Sequence, residues 1–181
     1  MPKPTACLTI LAAAVLVFCP AGCRRSRPNV DATIEEEPAQ QGERTMVQVN
    51  DPLASKQLIQ GFYDVEQGSY RWTMGHFSAA LPPPLRASER GAKLVLRFGI
   101  PEPVIKKLTS LKLSASVDGV ALPVETYTKA GECVYSRSVP PQALAKRLVT
   151  VSFTLDKYLP PSAADRRELG VVVTAVGFEA Q

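Results

Sequence analysis

The 181-residue sequence predicts an all-β fold, an antiparallel β-sandwich of jelly-roll type, preceded by a signal helix and a disordered tether. Three observations predict it. Several segments alternate apolar and polar residues with period two, which marks strands half-buried on one sheet face. An Asp118-Gly119 pair stands between two such segments, where a tight hairpin needs positive backbone angles. Proline clusters at 82–84, 140–141 and 160–161 separate the runs, and proline, which cannot donate to a β ladder, belongs there to loops.

The chain opens with Lys3, an apolar run over 6–18, and the small residues Ala21 and Gly22 before Cys23. A short apolar segment followed by small side chains suits the pockets of signal peptidases. The run is shorter than the roughly 20 apolar residues a spanning helix needs, and Pro20 and Gly22 end it. The pattern resembles the lipobox of bacterial lipoproteins at Ala21-Gly22-Cys23 and departs from it at Pro20, where a Leu is usual. The resemblance implies a signal peptide over 1–22, lipidation of Cys23, and a membrane-anchored protein exported to the bacterial cell envelope, on its periplasmic or outer surface. Arg24 after the lipid site, in place of Asp, disfavours retention in the inner membrane on the same resemblance. A plain secretory signal and an uncleaved anchor are the alternatives.

Residues 23–49 are expected to be a disordered tether. They carry Arg24, Arg25 and Arg27, the acidic run at 35–37 and few large apolar groups, too little to offset the entropy of ordering. The three arginines beside the lipid site suit anionic headgroups, at about 1 kcal/mol per charge near the surface.

The domain is expected over 50–181. Asn50-Asp51-Pro52 reads as the capped start of one short helix carrying Leu53, Leu58 and Ile59, with Gly61 as its stop. Strands follow at 70–75 and 77–81, with His76 between them, and at 93–98, where Leu94, Leu96 and Phe98 face opposite to Lys93, Val95 and Arg97. The hairpin sets Leu111, Leu113, Ala115 and Val117 before Asp118-Gly119, and Val120, Leu122 and Val124 after it. Residues 133–139 form another strand, 141–147 a helical turn, and Val149, Val151, Phe153 and Leu155 the inward side of the next strand. The final segment, 169–178, is apolar on both faces and belongs in the middle of a sheet. The count is about eight strands, at a spacing typical of sandwiches.

The formal charge is +4, of which Lys3 in the leader contributes one unit, and the basic residues beyond the leader junction are dispersed. No nucleic-acid footprint follows. Cys133 is the one cysteine left in the domain once Cys7, Cys19 and Cys23 are assigned to the leader and lipid site, so no intrachain disulfide is expected. It reads as a small apolar side chain in a strand. No cofactor or metal set is visible: His76 is the single histidine, and no Gly-x-Ser-x-Gly elbow, phosphate loop or Asp-rich calcium loop occurs.

Two constellations carry candidate chemistry. Tyr63 and Glu66 precede Tyr70, Arg71 and Trp72, and aromatic faces beside Arg and Glu suit sugar rings and their hydroxyls. The plain alternative makes Trp72 core packing and Arg71 a cross-strand ion pair. The second runs from Tyr158 through Pro160-Pro161 to Asp165, Arg167, Glu168 and Gly170, ahead of the last strand. It reads either as a polar ligand site or as ion pairs that cap a loop. With first and last strands adjacent, Arg71 is positioned to meet Asp165 or Glu168. Asp64 with Glu66, or Asp165 with Glu168, are candidate glycosidase acid and base pairs and make a glycan hydrolase the third alternative, but carboxylate pairs are common.

The Tyr63-x-x-Glu66 spacing, Arg71-Trp72-Thr73 and the stretch Asp165 to Val173 resemble β-sandwich accessory domains found in bacteria beside glycosyltransferases and other surface-polysaccharide proteins. The likeness covers 61–179 and implies association with carbohydrate. On this reading the chain is expected to depart from those proteins by lacking an attached catalytic domain and by carrying the leader. Two functions are therefore expected in competition: a lipid-anchored, non-catalytic sandwich binding a glycan through Tyr63, Glu66, Tyr70, Arg71, Trp72, Asp165, Arg167 and Glu168, or a structural lipoprotein that docks another envelope protein.

Overall fold

The structure, a computed structural model, describes residues 43–181. The leader, Cys23 and the tether up to residue 42 lie outside the described residues. Nine strands form: β1 (Met46–Gln48), β2 (Leu58–Glu66), β3 (Tyr70–Leu81), β4 (Ala92–Ile100), β5 (Leu111–Val117), β6 (Val120–Tyr127), β7 (Gly131–Val139), β8 (Val149–Leu155) and β9 (Val172–Ala180). Two short helices, α1 (Ala87–Arg90) and α2 (Glu102–Leu108), lie in connections. Among the described residues no helix is long and apolar enough to cross a membrane.

Every strand pair is antiparallel, in the order β6-β5-β8-β3-β9-β4-β7, with β1 on β9 and β2 on β3. The layers separate along β3, which pairs with β9 at Arg71 and Trp72 and with β8 from His76 to Leu81. One layer is β7-β4-β9-β1 and the other β6-β5-β8-β3-β2, so the expected sandwich is the fold. Opposite that shared strand, the outer strands β6 and β7 are tied together. Tyr135 donates its hydroxyl to the Pro123 carbonyl at 2.8 Å, and Arg137 pairs with Glu125 at 2.6 Å.

The core lies between the layers, where alternation delivers Leu94, Leu96 and Phe98 from β4, Leu111 and Leu113 from β5, and Val151 and Phe153 from β8. Phe77 stacks on Phe153 at 4.9 Å and meets Phe62 edge-on at 5.3 Å. The hairpin forms as the sequence requires, with φ of 46° at Asp118 and 86° at Gly119. Asp118 does more than turn the chain: its carboxylate accepts from Thr150 N at 2.9 Å and pairs with Lys146 at 2.8 Å. Those bonds, the lysine's first, hold the carboxyl below the usual range. A depressed folded pKa stabilises above the ordinary carboxylate value and ceases to as pH falls through the depressed one. Asp118→Asn is therefore expected to lower the melting temperature at about pH 7 and to match the parent at about pH 2.

Several expectations are corrected. Residues 44–49 are not tether. Val47 and Val49 are fully buried, Met46–Gln48 pairs with β9, and the buried Gln57 side chain bonds both the N–H (2.8 Å) and the carbonyl (2.9 Å) of Arg44. A three-residue strand leaves too short a period to stand out beside a charged stretch. The helix expected after Asn50 is a single 3-10 segment, Pro52–Gln57, capped as predicted by Asp51, which accepts from Leu53 N at 2.9 Å. Gly61 does not stop it. It sits inside β2 with φ of 76°, pressed against the His76 carbonyl and Phe77 Cα, at a register shift where a side chain has no room. The two strands expected on either side of His76 are one, β3. Val95 is buried although it shares its face of β4 with the exposed Lys93 and Arg97. In β6 the alternation breaks at Pro123: an extra residue between the Leu113–Glu125 and Ala115–Leu122 pairs turns Val124 out to solvent.

Candidate functional site

β3 has to leave β9 and join β8, and between those pairings its backbone groups need other partners. The connection between β8 and β9, residues 156–171, supplies them. Thr73 donates its N–H to the Val171 carbonyl at 2.9 Å and accepts from Gly170 N at 2.7 Å. The Glu168 carboxylate accepts from Gly75 N at 2.6 Å. A side chain at Gly75 would overlap the Tyr158 ring, so glycine there lets that aromatic lie against the strand.

The same connection carries Asp165 and Arg167 onto β2. One guanidinium is shared by two carboxylates: Arg167 pairs with Glu66 at 2.5 Å and with Asp165 through Nη2 at 2.9 Å and Nε at 3.1 Å. Its charge lies 5.2 Å from the centre of the Tyr63 ring, whose hydroxyl accepts from Glu168 N at 3.2 Å. The side chains of Arg167, Glu66 and Asp165 are each about one-third exposed. The guanidinium and the Arg167 N–H hold the Asp165 carboxyl below its ordinary range, and the two carboxylates in turn raise the guanidinium further.

Five of the eight expected residues thus meet: Tyr63, Glu66, Asp165, Arg167 and Glu168. Tyr70 stands directly across the hairpin from Glu66 and is half-buried. The other two take backbone and core roles. Arg71 does not meet Asp165 or Glu168, because its guanidinium donates to the carbonyls of Val49 at 2.7 Å and Tyr63 at 2.9 Å, fastening β1 to β2. Trp72, opposite Val172, packs partly buried against the core. One face of Tyr63 is taken up by Arg167. Tyr158, which opens the second constellation but is not among those eight residues, is 37% exposed beside Glu168.

The arrangement suits recognition better than acid–base chemistry. A general acid working near neutrality needs a raised carboxyl pKa, and Asp165 is shifted the other way. His76 is exposed in mid-strand, its Nδ1 3.1 Å from Thr154 Oγ1. Cys133 is half-buried in β7, its thiol pushed up chiefly by burial. Among the described residues no group of three His, Cys, Asp or Glu side chains is placed to hold a metal ion.

No family model and no curated protein matches the chain. Solved structures do. The CBM36-1 domain of a multidomain xylanase from the hindgut metagenome of Trinervitermes trinervoides is similar at 9% identity and TM-score 0.41, over 76% of this chain and 97% of that one. The CBM51-2 and INT domains of Clostridium perfringens ZmpB, in complex with GlcNAc, match at 13% identity and TM-score 0.36, over 76% of this chain and 28% of that one. A third match, titled "CBM4 structure and function", has 13% identity and TM-score 0.33, over 75% of this chain and 85% of that one. These scores are low, and the sandwich assignment stands on the strand pairing itself.

Proposed function

We propose that this chain is an exported lipoprotein of the bacterial cell envelope, anchored through Cys23, whose sandwich binds a glycan without acting on it. The observation that carries the glycan reading is the half-open Tyr158 ring beside Glu168, on the same β8–β9 connection that carries the Glu66–Arg167–Asp165 array. An aromatic face takes the apolar side of a sugar ring, while carboxylates and a guanidinium bond its hydroxyls. Side chains already fixed by their mutual bonds lose little freedom on binding, which favours recognition of a weakly held ligand. The leader pattern at 1–23 supports the anchor. A mass measurement of the mature amino terminus is expected to find a diacylated or triacylated Cys23; an unmodified terminus cut elsewhere would remove the anchor while leaving the glycan reading intact. Screening the protein on an array of envelope polysaccharides and peptidoglycan fragments tests the ligand class, with retention expected for at least one glycan.

The second function, docking another envelope protein, needs a surface or a free edge strand. The outer strand β6 is a poor template for strand addition, since Pro123 lacks an N–H and the bulge there interrupts the ladder. Co-purification from membranes separates the two: a stoichiometric protein partner without glycan retention would favour docking.

A further inference from the structure

We infer that the end of the sandwich formed by residues 82–91 and 140–148 is a docking face for an anionic lipid bilayer, used by the folded domain itself in addition to any covalent anchor. The inference rests on the envelope reading in one respect, that a bilayer lies within reach.

The face is built around Leu85. β3 ends at Leu81, and Pro82, Pro83 and Pro84 follow, each with its φ fixed by the ring. Ala87 N donates to the Pro84 carbonyl at 3.0 Å, closing a tight turn with Leu85 and Arg86 at its tip, and Arg86 holds φ of 63°. Turn tips ordinarily carry polar residues or glycine. Here the tip presents a leucine that is 92% exposed, far more than Ile59 at 54% or Val134 at 48%. Held by prolines and by the turn bond, it is not free to fold back onto the domain.

The surroundings indicate what it meets. Leu85 shares a shallow open cavity with Ala145, Lys146 and Arg147 from the β7–β8 connection. The side chains of Lys146 and Arg147 are 73% and 84% exposed, whereas the acids they pair with, Asp118 and Glu43, are 17% and 35% exposed. The carboxylates of Asp118 and Glu43 lie underneath and the cations face outward, together with the exposed Arg86 and Arg90, which outnumber the one exposed acid of the segment, Glu89. An apolar side chain ringed by cations is the pattern that inserts at a headgroup boundary: the leucine enters the acyl edge and the cations contact anionic phosphates.

Position supports the same partner. The described chain begins at this end, at Glu43, whose carboxylate pairs with Arg147 at 3.2 Å. The Glu66–Arg167–Asp165 array belongs to the other end of β8, whose seven residues extend about 20 Å. A domain seated on Leu85 therefore turns that array away from the lipid.

The test uses the full chain in phosphatidylcholine vesicles with and without phosphatidylglycerol, their acyl chains brominated to quench tryptophan. With the Trp72 signal of the parent subtracted, the Leu85→Trp variant is expected to be quenched in phosphatidylglycerol vesicles. Quenching should fall about tenfold with Lys146→Glu and Arg147→Glu combined, and likewise in high salt. Val134→Trp, on the exposed side of β7, serves as the control and should stay unquenched. Quenching of Leu85→Trp no greater than that of Val134→Trp would overturn the inference, and so would equal quenching in vesicles without phosphatidylglycerol. An acidic protein that binds the parent but not the Leu85→Asp variant, with no quenching by lipid, would overturn it in favour of a protein partner. The amino-terminal mass reports on lipidation separately, so the failure of one does not imply the failure of the other.

Discussion

Phe77→Ala is expected to destabilise the domain by about 3–5 kcal/mol, the range for removing a buried phenylalanine and leaving a cavity. The ring is 2% exposed, stacked on Phe153 and met edge-on by Phe62, so three strands lose their shared contact at once. β3 is also the strand common to both layers, which leaves little scope for collapse around the gap. A domain of this size has a total stability of about 5–15 kcal/mol, so the variant should lose a large part of it. Urea unfolding followed by circular dichroism measures this: a lower midpoint with an unchanged slope is expected, and a loss below about 1 kcal/mol would mean that Phe77 is not a keystone of the core.

Val47→Asp should be comparably damaging, at about 3–5 kcal/mol, because it leaves an uncompensated charge in the interior. Val47 is fully buried in β1, opposite Val176, in a segment whose composition resembles the tether before it. Gln48→Asp, one residue on and exposed, should cost less than about 1 kcal/mol. Equal, small losses for the two would return residues 44–49 to the tether. Thermal melts of the pair suffice to distinguish these outcomes.

What the sequence reveals follows the length of its patterns. Seven-residue runs such as Leu111–Val117 and Val149–Leu155 repeat their period often enough to announce strands, and Asp118-Gly119 names its own turn. Met46–Gln48 spans barely one period, so its burial is invisible until β9 offers an edge. Gly61 shows the limits of local punctuation: a glycine read as a helix stop is a backbone contact between β2 and β3, set by the returning strand fifteen residues on. Gly75-His76 misleads in the same way, since a glycine and a polar residue in mid-strand look like a break. The residue types of the candidate site were legible, and Arg167 with Glu66 and Asp165 forms the mixed polar cluster that the sequence suggests. Which arginine would do so was not, because Arg71 and Arg167 look alike until Arg71 is drawn to backbone carbonyls left open beside β1 and β2. Tyr158 was legible as the start of the second constellation, but its setting against the bare surface of Gly75, 83 positions earlier, was not.

The most direct test is a calorimetric titration of the full chain with the envelope glycan retained on the array, compared with Tyr158→Ala and Arg167→Gln. Loss of the aromatic contact should weaken binding about tenfold, and loss of the shared guanidinium by a similar factor, with Leu85→Asp unchanged as a control at the other end of β8. No glycan binding, or binding unaltered in folded Tyr158→Ala and Arg167→Gln variants, would contradict the assignment of this loop cluster as the ligand site.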